Sequence, residues 1–346
     1  MRPYIARLST LLLSITIFAM PPTRAQDNTD RPLVKIIATG GTIANSPDGR
    51  MSVETVMTQI PQLGTVANIE VHDYVRIGSS EISIQNWIDL AKVIMQQLNA
   101  NPDIDGIVVT HGSNTSEETS YFLNLVLDTD KPVVVVGAQR QRGTLSEDGS
   151  RNLFDAIRVA AHPEAGGRGV MLVAGDMIHA ARDVTKTISY RTETWNSGDL
   201  GVLGLTDPDQ IRFYRMPYGR HTANSEFRLD DVRVTADLPR VDIVYVYADA
   251  GPELVEAAVA AGARGIIVAG FATGSASPAM EIALASARDK GIAVIMSHRG
   301  GKGRVQTGRG FTSADNLTPQ KARILLMLAL AHKVAATRLE QVFQTY

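Results

Sequence analysis

Leu33-Val-Lys-Ile-Ile-Ala-Thr-Gly-Gly-Thr-Ile-Ala44 is the stretch on which the reading of this chain turns. Its apolar run, Leu33 to Ala38, has the character of a parallel strand buried on both faces. The run ends in Thr39-Gly40-Gly41-Thr42. In open α/β sheets ligands bind beyond the carboxyl ends of the strands. Glycines there carry no Cβ, so a ligand can approach the backbone closely. Thr39 and Thr42 place hydroxyls at the same strand end. Taken alone, the segment fits a glycine turn with capping threonines equally well, and the rest of the chain decides.

Moving outward, the strand-then-polar-loop pattern repeats. Ile69 to Ile77 reads as a strand that delivers Gly78-Ser79-Ser80-Glu81 to its end. Ser83 then caps a helix whose apolar positions Ile84, Trp87, Ile88, Ala91, Ile94, Met95 and Leu98 share one face. Ile104 to Thr110 is a further strand, followed by His111-Gly-Ser-Asn-Thr-Ser-Glu-Glu-Thr119 and an apolar helix expected over Tyr121 to Leu127. Val133 to Val136 is a strand, Asp155 to Ala161 a helix and Gly169 to Ala174 a strand. Alternation of this kind predicts an α/β fold with a large N-terminal, doubly wound, mostly parallel sheet, residues 31–213. Three strand ends then converge near Thr42, Ser79 and Ser113. Residues 214–239 are polar and irregular and read as a linker. A smaller C-terminal α/β domain is expected over 240–346. Its strands are Val241 to Tyr247, Gly265 to Ala269 and Ile292 to Met296. Its helices are Glu253 to Ala261, Met280 to Lys290, Lys321 to Ala331 and Arg338 to Gln344, and Thr318-Pro319 is a strong helix start.

Bulk properties exclude several chemistries. The 346 residues are 44% hydrophobic and 20% charged, with net charge -2, which gives no nucleic-acid footprint. Cysteine is absent, so there is no disulfide, thiol nucleophile or thiolate metal site. The seven histidines, at 72, 111, 162, 179, 221, 298 and 332, show no metal-ligand spacing and read as surface or packing residues. No metal site and no cofactor is expected. The first 25 residues have the form of a secretory signal: Arg2 and Arg7, an apolar core from Leu11 to Met20 too short to span a bilayer, Pro21-Pro22, and a cut expected near Ala25. A periplasmic or secreted mature protein follows, with no membrane segment after cleavage.

Ala38-Thr-Gly-Gly-Thr-Ile-Ala44, Thr110-His-Gly-Ser-Asn-Thr-Ser-Glu-Glu-Thr119 and Arg182-Asp-Val-Thr-Lys-Thr187 together resemble the bacterial L-asparaginase and glutaminase-asparaginase family, in particular its exported type II branch. Asp130-Lys-Pro-Val-Val-Val-Val-Gly-Ala138 and Asn316-Leu-Thr-Pro-Gln-Lys-Ala322 extend the likeness over nearly the whole mature chain. The resemblance implies hydrolysis of a small carboxamide to acid plus ammonia, without metal or cofactor. Thr42 matches the nucleophile that forms an acyl-enzyme. Ser113 matches the second hydroxyl, and Lys186 the lysine paired with it. A weak hydroxyl nucleophile needs such a base or oriented partner, and a desolvated lysine can serve because burial lowers its pKa. Backbone N–H groups near Gly41 and Ser113 would hold the oxyanion. Ser79 matches the residue that binds the substrate carboxylate. The resemblance further implies a homotetramer, a dimer of dimers with shared sites.

The chain also departs from the family pattern. The usual T-H-G-T-D-T is Thr110-His-Gly-Ser-Asn-Thr115, so Asn114 replaces the aspartate that holds the substrate α-ammonium. Ser80 replaces a glutamine that assists it. The segment after Thr42 is shorter than the family's lid, and no tyrosine lies between Thr42 and Tyr74. Thr273 replaces the asparagine expected in the loop after Ala269. His298-Arg-Gly-Gly-Lys-Gly-Arg304 replaces an acidic stretch, and Arg299, Lys302 and Arg304 would make the site more cationic. Asn114 would leave Lys186 without a nearby carboxylate. The expectation is an asparaginase-type amidohydrolase with an altered α-ammonium site. The readings beside it are an amidase on a related substrate lacking a free α-amino group, ordinary asparaginase or glutaminase activity with Glu81 or Glu117 in compensation, and a periplasmic binding relative with weakened catalysis.

Overall fold

Strand β1 (Leu33–Gly40) sends alternate side chains into two different cores. Ile37 packs in a cluster with Trp87, Ile88 and Phe122, whereas Val34, Ile36 and Ala38 pack with Val53, Leu153 and Ile157. The same period of two continues in its neighbours. Ile107, Val109, Val133 and Val135 face the first cluster, and Val108, Val134 and Val136 face the second. A strand covered by helices on both faces requires this arrangement. The structure is a computed structural model that describes residues 31–46, 49–229, 238–306 and 310–346. The expected signal segment lies outside the described residues, as do residues 230–237 of the expected linker.

After β1 come a short hairpin, β2 (Asn45–Ser46) with β3 (Gly49–Arg50), and helix α1 (Val53–Thr58), whose Ser52 cap accepts a hydrogen bond from the Thr55 N–H. Then follow α2 (Leu63–Val66), β4 (Asn68–Ile77), α3 (Ile84–Ala100), β5 (Ile104–Thr110), α4 (Ser116–Val126), β6 (Val133–Val136), α5 (Gly149–Ala160) and β7 (Val170–Ala174). Helices α4 and α5 begin earlier than their apolar runs suggest. The first turn of α4 is Ser116-Glu117-Glu118, where carboxylates favour a helix N-terminus. Beyond β7 the chain reverses into β8 (Met177–Ala180) through Gly175 (φ 59°) and Asp176 (φ 61°). Two central residues with positive φ make the tight turn that suits strand twist in a hairpin. A ribbon of β9 (Thr185–Lys186) and β10 (Trp195–Asn196) follows, then β11 (Gly204–Thr206) and β12 (Ile211–Phe213). The main sheet has the order β12-β11-β8-β7-β6-β5-β1-β4. β4, β1, β5, β6 and β7 are parallel, and the remaining three are antiparallel.

A second, all-parallel sheet contains β13 (Val241–Tyr245), β14 (Gly265–Gly270), β15 (Ala293–His298) and β16 (Thr312–Ser313), in that order. Helices α6 (Glu253–Ala260) and α7 (Pro278–Asp289) connect them, and α8 (Pro319–Ala331) and α9 (Leu339–Thr345) complete the chain. Residues Ile324 to Ala329 of α8 are all buried, because the helix lies between α4 on one side and β13 and β14 on the other. The two sheets therefore share a core. The segment read as a linker contributes to it: Phe227 is fully buried, its ring 5.0 Å from that of Tyr346 and 5.3 Å from that of His332.

Candidate active site

The three polar loops expected to converge do so by backbone contact. Gly41 follows β1 with φ +86°, and a Cβ built there would stand 2.4 Å from the Gly112 nitrogen. A Cβ on Gly112 would in turn meet the Ser79 Oγ at 2.6 Å. Real Cβ atoms do not approach so closely, so only glycine allows the ends of β1 and β5 and the turn after β4 to stack. Thr42 sits directly after this contact, half-buried at the start of a single 3-10 turn, Thr42–Ala44. Ser79 is buried and accepts a hydrogen bond from the Asn114 N–H (3.2 Å), while its carbonyl accepts from the Thr115 hydroxyl (2.7 Å). Ser80, beside it, is exposed.

Lys186 comes from far along the chain, on the β9–β10 ribbon. Its Nζ donates to Ser113 Oγ at 2.8 Å. Burial pushes its pKa below the ordinary lysine value, partly offset by the Glu117 carboxylate, which pulls it up. Glu117, on the buried first turn of α4, is therefore the carboxylate beside this lysine. This corrects the expectation that Asn114 leaves Lys186 with no such neighbour. Glu117 Oε2 accepts from the Lys186 backbone N–H (3.0 Å), and Oε1 accepts from Gln320 Nε2 (2.8 Å). A cleft of about 460 Å3 opens at this point, lined by Asn114, Glu117, Lys186 and residues Thr187–Tyr190. The exposed Asn114 side chain adds no charge to it.

Two further groups set the loops, and neither was picked out in the sequence. His111 is fully buried, with Nδ1 2.8 Å from the Gly112 carbonyl and Nε2 2.9 Å from Thr119 Oγ1. A carbonyl only accepts, so the proton is assigned to Nδ1, and the Thr119 hydroxyl then donates to Nε2. The Trp87 indole N–H donates to the same Thr119 oxygen at 2.8 Å. Burial lowers the His111 pKa to about 4, which keeps this chain of donors intact at neutral pH. Lys321, in the first turn of α8, is also fully buried. Its Nζ donates to the carbonyls of Ala181, Arg182 and Val184 at 2.9, 2.8 and 2.5 Å. A lysine among apolar residues at the start of a helix was the available signal.

The basic stretch 298–304 does not join this cleft within the chain. The Arg299 guanidinium lies 5.0 Å from the Phe271 ring and donates to the Val246 carbonyl, and Arg304 pairs with Asp315. Lys302 is exposed.

Comparison with known proteins agrees with this architecture. The family described as "Asparaginase, N-terminal" matches residues 33–218, and "Glutaminase/Asparaginase C-terminal domain" matches residues 240–343. The chain is 40% identical over 337 residues to "L-asparaginase 2" of Bacillus subtilis (strain 168), covering 93% of this chain and 88% of that protein. It is 35% identical over 353 residues to "Probable L-asparaginase periplasmic" of Haemophilus influenzae, covering 97% and 99%. Among solved structures, a probable cytoplasmic L-asparaginase from Campylobacter jejuni superposes with a TM-score of 0.87 at 36% identity, covering 91% of this chain and 100% of that one. Both halves of the chain match in order, so it belongs to the L-asparaginase and glutaminase-asparaginase family and is an asparaginase-type amidohydrolase.

Proposed function

We propose that the chain is an exported enzyme that hydrolyses an asparagine-like carboxamide through Thr42, and that its pocket does not depend on a free α-ammonium. The contact between Lys186 Nζ and Ser113 Oγ carries this reading. Neutral Lys186 takes a proton through Ser113, and the Thr42 hydroxyl oxygen attacks the amide carbon. The tetrahedral oxyanion is held by backbone N–H groups near Gly41 and Ser113. The amide nitrogen receives a proton and leaves as ammonia, giving an acyl-Thr42 ester. Water then attacks the ester, and the acid departs as Thr42 regains its proton. Ser79 binds the substrate carboxylate.

The altered-pocket part rests on two side chains, Asn114 at the cleft and Ser80 beside Ser79. Asn114 is neutral, and Ser80 is too short to replace a glutamine. The glutamates that would compensate are each held by backbone: Glu81 Oε1 accepts from the Gly78 N–H, and Glu117 from Lys186. A charge-assisted contact contributes about 1.5–3 kcal/mol, roughly ten- to a hundredfold in binding. Export is supported by the form of residues 1–25 and by the likeness to a relative named as periplasmic. A homotetramer is part of the same proposal, from family resemblance alone.

Ammonia release from asparagine, glutamine, succinamate and N-acetylasparagine tests the substrate. The expected result is a higher kcat/KM on the amides without a free α-ammonium. Asparagine turned over tenfold better than both would overturn the altered pocket, and no ammonia from any amide would favour the binding relative. Mass measurement of the exported protein is expected to show a start just after Ala25.

A further inference from the structure

Lys186 is held in place by α8, a helix whose first residue is 133 positions further along the chain (319 against 186). We infer that Gln320 and Lys321 are positioning residues for Lys186: Gln320 acts through Glu117, and Lys321 through the loop that leads into β9. The inference rests on the proposed function, since it assigns these residues to the reaction carried by Lys186 and Ser113.

The geometry forms two struts from one helical turn. In the first, Gln320 Nε2 donates to Glu117 Oε1 and the other Glu117 oxygen accepts the Lys186 backbone N–H, while Lys186 Nζ reaches Ser113. In the second, the Lys321 ammonium gathers the carbonyls of Ala181, Arg182 and Val184, the residues just before Thr185-Lys186. Burying a carboxylate and an ammonium to hold one short ribbon is costly unless each is fully hydrogen-bonded. Glu117 is only 6% exposed and Lys321 is fully buried, and among the described residues their side-chain hydrogen bonds end at the Lys186 segment or at α8. Supporting the reacting groups through such outer contacts is how active sites keep tight geometry.

Glu117 also sets the field at Lys186, because its carboxylate favours the protonated lysine. Glu117 is in turn flanked by Glu118 on α4 and Lys321 on α8; Arg323 acts on Glu118, and Arg182 and Asp183 in the loop before β9 act on Lys321. The Gln320 amide draws off part of the Glu117 charge. Removing that donor strengthens the field at Lys186, and removing the carboxylate weakens it. The two changes therefore displace the lysine's titration in opposite directions.

The experiment is the pH dependence of kcat for ammonia release in the full chain and in Gln320→Leu and Glu117→Gln, with thermal midpoints measured alongside. Hydrolysis rises with pH as Lys186 becomes neutral. Gln320→Leu is expected to move that rise to higher pH and Glu117→Gln to lower pH, each by about half a unit or more. In Gln320→Leu kcat is expected to fall about tenfold, the scale of one hydrogen bond to a charged group, with KM within about twofold. A role in folding alone would lower the thermal midpoint and leave the rise where it was, and that result overturns the inference. Should Gln320→Leu fail to fold, Gln320→Met, which keeps the length of the side chain and loses only its donor, takes its place. A wild-type chain that hydrolyses no amide overturns the proposed function and this inference together. A wild-type chain that does, beside variants with an unmoved rise, overturns the inference alone.

Discussion

Replacing Lys186 by methionine separates the chemistry of this lysine from its packing. Methionine keeps most of the aliphatic stem and loses the Nζ that donates to Ser113 at 2.8 Å. The backbone N–H of residue 186 still donates to Glu117, and the pairing of residue 186 with Trp195 across the ribbon is untouched. The stability cost is thus one net hydrogen bond, about 1 kcal/mol, or roughly 1–2 °C in thermal midpoint for a chain of this size. The cost to the reaction is far larger. A positioned general base contributes about 10²–10⁴ in rate, equal to about 3–5 kcal/mol of barrier. Coupled detection of ammonia is therefore expected to show kcat reduced about a thousandfold, with KM within about threefold. A Lys186→Met enzyme within about tenfold of wild-type kcat, with its fold intact, would refute the assignment of Lys186 as base.

Thr42→Ala is expected to abolish acyl-enzyme formation and turnover while ligand binding by calorimetry persists; turnover at the wild-type rate would remove Thr42 from the mechanism. Gly41→Ala places a Cβ 2.4 Å from the Gly112 nitrogen at φ +86°, so it is expected to destabilise the protein by about 3 kcal/mol or more in chemical denaturation and to lower activity. An unchanged midpoint would contradict the stacking of the two loops. Acid should weaken the fold through His111 and His179, whose burial lowers both pKa values to about 4. Their folded-state pKa is depressed, so their stabilisation is complete above the unfolded value of about 6.5 and is lost as pH falls toward 4. At about 1.4 kcal/mol per unit, each contributes roughly 3 kcal/mol at the limit. His111→Asn is expected to flatten this part of the stability profile, measured by urea unfolding between pH 7 and 4.

Much of the architecture could be read from local pattern, because a parallel strand buried on both faces is mostly apolar. Leu33 to Ala38, Ile104 to Thr110 and Val133 to Val136 all show it. The serines and glutamates before Tyr121 suit a helix N-terminus, so the start of α4 at Ser116 had a local signal, but the burial of that turn had none. The turn is polar yet buried, and only the partners of Glu117 account for that. The β7–β8 hairpin carried a local signal, Gly175-Asp176 between apolar residues, which the parallel pattern around it masked.

By itself the order of residues determined which strand ends would carry hydroxyls, and its motifs carried the family resemblance that singled out Lys186. Those choices are written in short runs of sequence. The pairing of Lys186 with Ser113, implied by the family resemblance, spans 73 positions, and only the tertiary structure decided that Glu117 is the carboxylate beside Lys186 and that Gln320 holds Glu117 from 203 positions away. The reason is that a hydrogen bond depends on distance in space. No spacing along a chain encodes which polar side chains a shared core will bring within 3 Å of each other.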